Sequence, residues 1–310
     1  MFQAAESLVP IVFLVLLGAA LLKTRFISED VRSGLDRFTY WIALPSLFVH
    51  ELSSTDFGAM AAGQLVLVLA LTVIAGCFLA ACVAAILGLS RENFGVFVQA
   101  GFRGNLAFVG LPLIIFSLSG AQAADGLVAA ALVALAALVP LANTLSVIVL
   151  VVSRHCLSFR MVPQLAMRLV KNPLIISAAL GGLLGLLGWR LPVFIDRPLQ
   201  LLGQTALALA LISLGGVLVQ LELRGRLGLA FAASLLKVVA IPAISYGLCL
   251  AFALPADQTF VAMVFAACPT ASASFILASQ LGGDQALAAT CVFMSTILSL
   301  GALTGVVLLF

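Results

Sequence analysis

Apolar runs separated by short polar stretches fill the chain, and ten can be drawn, at about 7–22, 38–52, 60–89, 94–118, 126–153, 173–189, 199–221, 228–253, 259–281 and 285–309. Most approach the roughly 20 residues that a helix needs to cross a bilayer, so the pattern predicts ten transmembrane helices. The third and fifth are long enough to tilt or to include interfacial turns. Two of the ten are interrupted near their centres. The fourth holds Phe102-Arg103-Gly104-Asn105 and then Gly110-Leu111-Pro112; the ninth holds Ala267-Cys268-Pro269-Thr270-Ala271-Ser272-Ala273-Ser274. Helix breakers at membrane depth free backbone groups, which are tolerated only inside protein or along a cavity. Matching breaks in two halves of a chain point to the binding site of a secondary transporter.

A single shift of 163 residues brings several markers into register: Pro10 onto Pro173, Gly18 onto Gly181, Gly120 onto Gly283, and Asn105 onto Cys268 beside Pro269. Each half then holds five runs. Five is odd, so the second half must insert upside down, and an inverted 5+5 repeat is expected. The repeats are 1–153 and 173–310, with 154–172 as a cytoplasmic connecting loop. Orientation follows from Lys and Arg, which favour the cytoplasmic side. Loops after odd-numbered runs carry eleven, including Lys23, Arg25, Arg91 and Lys171, whereas loops after even-numbered runs carry two, Arg190 and Arg197. Both termini are therefore expected outside.

Composition agrees. Hydrophobic residues make up 64% of the 310 positions and charged residues 9%, against about 45–50% and about 25% in soluble domains. No basic run suggests nucleic acid. The six cysteines (Cys77, Cys82, Cys156, Cys249, Cys268, Cys291) form no C-x-x-C pair and read as small core residues, not as disulfides or metal ligands. The first run lacks a basic leader and is followed by Lys23 and Arg25, as in a retained first helix. There is no H-E-x-x-H, G-x-S-x-G or P-loop, and His50 and His155 lie far apart; neither an enzyme nor a metal or cofactor site is expected.

The candidate chemistry gathers at the breaks. Asn105, beside Gly104 and followed by Pro112, lies near the centre of the fourth run. Half-helix N-termini there attract anions, while freed carbonyls attract cations. An asparagine supplies donor and acceptor, so it can serve a carboxylate, tie down broken backbone, or bond across a helix interface. Pro269 removes a backbone donor. Thr270, Ser272 and Ser274 follow at alternate positions, on one side of an extended segment; small residues there equally permit close helix packing. Lys237 lies deep in the eighth run, about nine residues from the nearer end, where an ammonium costs about 2.5–3.5 kcal/mol. Glu51, Asp56, Asp125, Glu222, Asp257 and Asp284 all fall at run ends. The expected partners of Lys237 are therefore carbonyls at the break, Asn105 or an anionic substrate, with snorkelling as the alternative. Arg103 either attracts anions into a cytoplasmic vestibule or anchors the bundle. Pro45 and Pro140 read as ordinary kinks, and His50 with Glu51 as interfacial.

Gly104-Asn105 with Gly110-Leu111-Pro112, Lys171-Asn172-Pro173-Leu174-Ile175-Ile176, Ser213-Leu214-Gly215-Gly216, Lys237 with Pro242, Pro269-Thr270-Ala271, and Gly282-Gly283-Asp284 through Ser295-Thr296-Ile297-Leu298-Ser299 follow in order along nearly the whole chain. In them the chain resembles the auxin efflux carrier family. The resemblance implies a ten-helix fold of the bile-acid-symporter type, with scaffold helices one, two, six and seven and a transport domain made of the rest. Helices four and nine cross at unwound centres and hold the substrate carboxylate, with Asn105 and the Pro269-Thr270 turn at that place. Lys237 is a candidate fixed cation stabilising the crossing where related folds bind an ion.

The expectation is thus an all-α integral membrane carrier that moves small organic anions, metabolic carboxylates above all, across a bacterial inner membrane by alternating access. Its partners are the substrate and the lipid bilayer, and a homodimer through the scaffold helices is compatible with it. A cation/proton antiporter on a similar fold would call for paired acids at the crossing, and a membrane receptor for an output domain.

Overall fold

The computed structural model describes residues 2–55, 62–118, 124–154, 167, 170–220 and 226–310. Every element among them is helical, with no strand and one isolated bridge, Gly104 to Thr270. Most of the expected 154–172 loop, with His155 and Cys156, lies outside the described residues, as do Asp56, Gly120 and Glu222. The helices are α1 (Phe2–Lys23), α2 (Glu29–Phe38), α3 (Leu44–Ser54), α4 (Ala62–Ile86), α5 (Arg91–Phe102), α6 (Leu111–Leu118) and α7 (Ala124–Arg154). They continue as α8 (Pro173–Leu186), α9 (Val193–Gln220), α10 (Leu227–Leu235), α11 (Ile241–Ala251), α12 (Ala256–Ala267), α13 (Ala273–Gln280) and α14 (Gln285–Leu309).

Five stretches are long and apolar enough to cross a membrane: Ala62–Ile86, Gly126–Ser153, Val193–Val219, Leu227–Ala251 and Gln285–Leu309. Shorter apolar helices cover Val9–Lys23, Leu106–Leu118, Pro173–Leu186 and Ala256–Ala267. The described residues are thus all-helical, with several helices of the length and apolar composition of a multi-pass membrane protein. Helix α2 falls between the first two expected runs and is amphipathic. Ser28 caps it by accepting from Val31 N, and Glu29 and Asp30 in its first turn with Arg37 in its last suit the helix dipole.

Three turns are wound as π-helix, at Thr39–Ala43, Leu106–Gly110 and Leu236–Ala240. Each is followed two residues on by a proline: Pro45, Pro112 and Pro242. A proline inside a helix has no N–H to give and its ring collides with the carbonyl four residues back. Widening the preceding turn relieves that collision. Leu44 N–H accordingly bonds Thr39 O, and Ile241 N–H bonds Leu236 O, each five residues back. Pro45, expected as an ordinary kink, thus follows a π-turn, whereas Pro140 sits within the unbroken α7.

The described chain divides into two units, each drawing on both sequence halves. The first comprises 1–63, 107–137 and 166–220. In it α1 packs along α9, and α3 along α8 and α9. Small residues set these approaches, as membrane helix packing requires. A Cβ on Gly18 would fall 1.9 Å from Ile212 O, and one on Gly215 1.9 Å from Val15 O, so α1 and α9 touch backbone to backbone. Gly181 of α8 and Gly203 of α9 both abut α3, each with a virtual Cβ 2.9 Å from its backbone, at Phe48 O and Leu47 Cα. Arg32 pairs with Glu29 and with Asp36 (2.6 Å), and Ser213 donates to Asp36, tying α2 to α9. Burial raises the Asp36 carboxyl above its ordinary range, against the opposing pull of Ser213 and Arg32. His50 Nδ1 lies 2.6 Å from Asp196 Oδ1 at the start of α9.

The second unit comprises 64–106, 138–165 and 221–310. Its core joins Ala80, Ala84, Val96, Phe97, Ala100 and Phe102 to Leu150, Ala230, Ala233, Ala278, Ala288 and Cys291. All described cysteines are free thiols.

Candidate functional site

The two broken segments meet within the second unit. Helix α5 ends at Phe102 because Arg103 turns extended (φ −79°, ψ 104°). Helix α12 ends at Ala267 because Cys268 is extended as well (φ −54°, ψ 144°), the conformation that a following proline imposes. The extended pieces then pair. Asn105 N–H donates to Pro269 O (2.8 Å), and Ala271 N–H donates to Arg103 O (3.0 Å). Gly104 lies inside this short ladder. A Cβ there would come 2.9 Å from Leu106 Cδ2, 3.4 Å from Lys237 Cε and 3.5 Å from Phe265 O, so a larger residue would have to displace the end of the Leu106 side chain.

Each break orphans a carbonyl, and each carbonyl acquires a side-chain partner. In an unbroken α5, Ala100 O would accept from residue 104; here it accepts from Thr270 Oγ1 (2.8 Å). In an unbroken α12, Ala266 O would accept from Thr270 N–H, which goes instead to Ser295 Oγ (3.0 Å). Ala266 O is taken by the ammonium of Lys237 (2.5 Å). Lys237 is 1% exposed and sits in the π-turn before Pro242. A cation at the C-terminal end of α12 is where the helix dipole favours it. Of the partners expected for Lys237, the structure supplies the break carbonyl.

Asn105 is 5% exposed. Its backbone N–H is used, yet its side-chain Nδ2 is buried and has no partner among the described residues. Of the roles expected for its side chain, tying down the backbone is not the one it plays. Thr270, Ser272 and Ser274 do not line one extended face, since the chain is helical from Ala273. Thr270 has both its donors committed within the protein, its N–H to Ser295 Oγ and its hydroxyl to Ala100 O. Ser272 precedes α13 and makes no capping bond. Ser274 is buried in its first turn, with its carbonyl accepting from Gln99 Nε2 (2.9 Å). Pro112 is the second residue of α6, in the first unit, and its part is the π-turn before it.

Arg103 is buried too, donating to Asn143 Oδ1 of α7 (2.6 Å) and, at 3.5 Å, to Ser274 Oγ. Sequence reasoning singled out neither Asn143 nor Gln99. The available signal was a polar amide inside an apolar run, which alone does not separate ligand contact from helix packing. Among the described residues the buried charges are Arg103 and Lys237, both cations.

A profile of the membrane transport protein family matches residues 3–152 and 157–307. An uncharacterized transporter of Methanothermobacter thermautotrophicus is 29% identical over 305 residues, covering 97% of this chain and 96% of the relative.

Proposed function

The chain belongs to the membrane transport protein family, as its resemblance to the auxin efflux carriers predicts, and from that premise we propose that it moves small organic anions, carboxylates above all, by alternating access. The observation that carries this reading is the unpartnered Nδ2 of Asn105, a buried hydrogen-bond donor at the meeting of two broken helices. A buried donor without a partner costs about 1–3 kcal/mol, which an anionic acceptor would recover. Buried charge of positive sign on both sides of the break supports an anion over the cation of an antiporter.

The proposed site consists of Asn105 and Gly104 with the Pro269-Thr270 turn, and Ser272 and Ser274 at the entry to α13. Lys237 stabilises the crossing as a fixed cation. Pro112 shapes the π-turn that follows Asn105. Helices α1, α3, α8 and α9 fall in one unit, which supports assigning them as the scaffold, although that unit also takes in α6 and the start of α7. Helices α4, α5 and α10 to α14 form the moving part. The matched contacts of Gly18 with α9 and Gly181 with α3 support the inverted 5+5 repeat and its ten spans.

The test is uptake into sealed vesicles containing purified protein, challenged with monocarboxylates, dicarboxylates and indole acids, with and without sodium. Anion-dependent flux that Asn105→Ala abolishes, with the variant still reaching the membrane, is the expected result. Wild-type flux in Asn105→Ala would remove the crossing from consideration as the substrate site.

A further inference from the structure

Exposed cations and aromatic rings gather at one end of the first unit. Helices α1 and α9 run side by side, with Gly18 against Ile212 and Leu22 beside Gly216, and Arg32 of α2 also packs on Gly216. The end of α1, the turn after it, α2 and the last turns of α9 therefore share that end. Arg32 draws the acids inward: it pairs with Glu29 and with Asp36, which also accepts from Ser213 of α9. Lys23, Arg25 and Arg37 are exposed and have no ion pair among the described residues. Against these three charges stands the exposed Asp30. Phe26 is 81% exposed and Trp41 58%, and Trp41 follows Arg37 by four residues of continuous helical backbone, about one turn along the surface. Arg25 adopts φ 59°, a left-handed backbone that glycine takes at least cost at a helix end. Indole rings settle at headgroup level in a bilayer, and Lys and Arg beside them meet lipid phosphate. The expected orientation, with both termini outside, turns this end to the cytoplasmic leaflet, where anionic lipids make the surface negative.

We propose that Lys23, Arg25 and Arg37, framed by Phe26 and Trp41, form a docking surface for anionic phospholipids of the cytoplasmic leaflet. The cations meet the headgroup phosphates, and the rings seat at the acyl boundary. Arg32 ties α2 to α9 through Asp36 and Ser213, so the lipid anchors the unit assigned above as scaffold. The occupant is the bilayer and not the cargo, so the surface stands or falls independently of the anion-carrier reading.

The experiment uses the indole itself as reporter. Trp41 and Trp189 are the two tryptophans of the chain, so Trp189→Phe leaves Trp41 as the fluorophore. The full chain in this background is placed in phosphatidylcholine vesicles carrying equal fractions of brominated phosphatidylglycerol or brominated phosphatidylcholine, whose bromines quench an indole in contact with them. Each Lys or Arg near a bilayer surface is worth about fivefold in preference for anionic lipid. Trp41 is expected to prefer the anionic lipid by about tenfold or more. Arg37→Gln and Arg25→Gly should each lower that preference by about fivefold, and Asp30→Asn should raise it by a similar factor. Arg25→Gly relaxes the left-handed backbone and Asp30→Asn alters an exposed side chain, so both report even where Arg37→Gln fails to fold. A preference that neither of those two variants moves overturns the proposal. So does equal quenching by the two lipids, or quenching by neither. Loss of the preference on adding inorganic phosphate in low millimolar amounts would make this a site for soluble anions and overturn the lipid assignment.

Discussion

At the residue scale, Lys237 and Asn105 show how broken backbone is satisfied. Lysine replaces the amide that α12 loses at Ala266, whereas Asn105 keeps a donor in reserve. Replacing Lys237 with Met keeps bulk and removes charge. The orphaned Ala266 carbonyl then costs about 1–3 kcal/mol, so lower thermal stability and impaired flux are expected together; a Lys237→Met protein with wild-type melting would show that the ammonium does not hold the crossing. Lys237 was legible in the sequence because an ammonium deep in an apolar run is costly. Its partner was not, because a carbonyl carries no sequence signal. Asp36 gives a prediction in pH. Burial raises its carboxyl, so the folded chain binds that proton more tightly than the unfolded chain. Its contribution to stability therefore falls as pH rises from the ordinary carboxylate range through the raised value. Asp36→Asn should flatten that part of the profile in melts across the acid range.

At the element scale, prolines and glycines decide where helices widen and how closely they meet. Pro242→Ala restores an N–H and removes the ring collision behind the Leu236–Ala240 π-turn. Returning that turn to α-helical winding rotates Lys237 away from Ala266. The expected outcome is reduced flux with the helix intact by circular dichroism; unchanged flux would separate the π-turn from function. Gly215→Ala drives a methyl into Val15 O and should destabilise by about 3 kcal/mol or more, at or beyond the usual upper range for overpacking. Gly34, in α2, has nothing within 4 Å of a virtual Cβ. Gly34→Ala should instead stabilise by about 0.5–1 kcal/mol through helix propensity. Thermal melts of the two variants in opposite directions would separate close packing from propensity. The prolines were visible in the sequence, but their π-turns were not, because proline at a helix interior is equally compatible with a simple kink, as at Pro140.

At the scale of the whole molecule, the sequence halves and the compact units divide the chain differently. The proposed repeats run in sequence order, while each compact unit gathers pieces from both halves. The asymmetry of eleven Lys and Arg in loops after odd-numbered runs against two after even-numbered runs predicts both termini outside. A reporter active only outside the membrane, fused after Phe310, should be active, and one active only in the cytoplasm silent. The reverse pattern would invert the assigned topology.

The sequence by itself determined the helical class, the membrane setting, the positions of both breaks and the family. The first three follow from local chemistry: apolar run length, proline and glycine inside those runs, and isolated charge at depth; the family follows from the resemblance its ordered motifs carry. Tertiary structure alone decided which groups satisfy the breaks, with Thr270 on Ala100, Ser295 on Thr270 and Lys237 on Ala266. It also decided that Arg103 and Asn143, 40 positions apart in the chain, meet. Hydrogen bonds between segments far apart in the chain depend on how those segments lie in space, and residue spacing along one segment does not specify that.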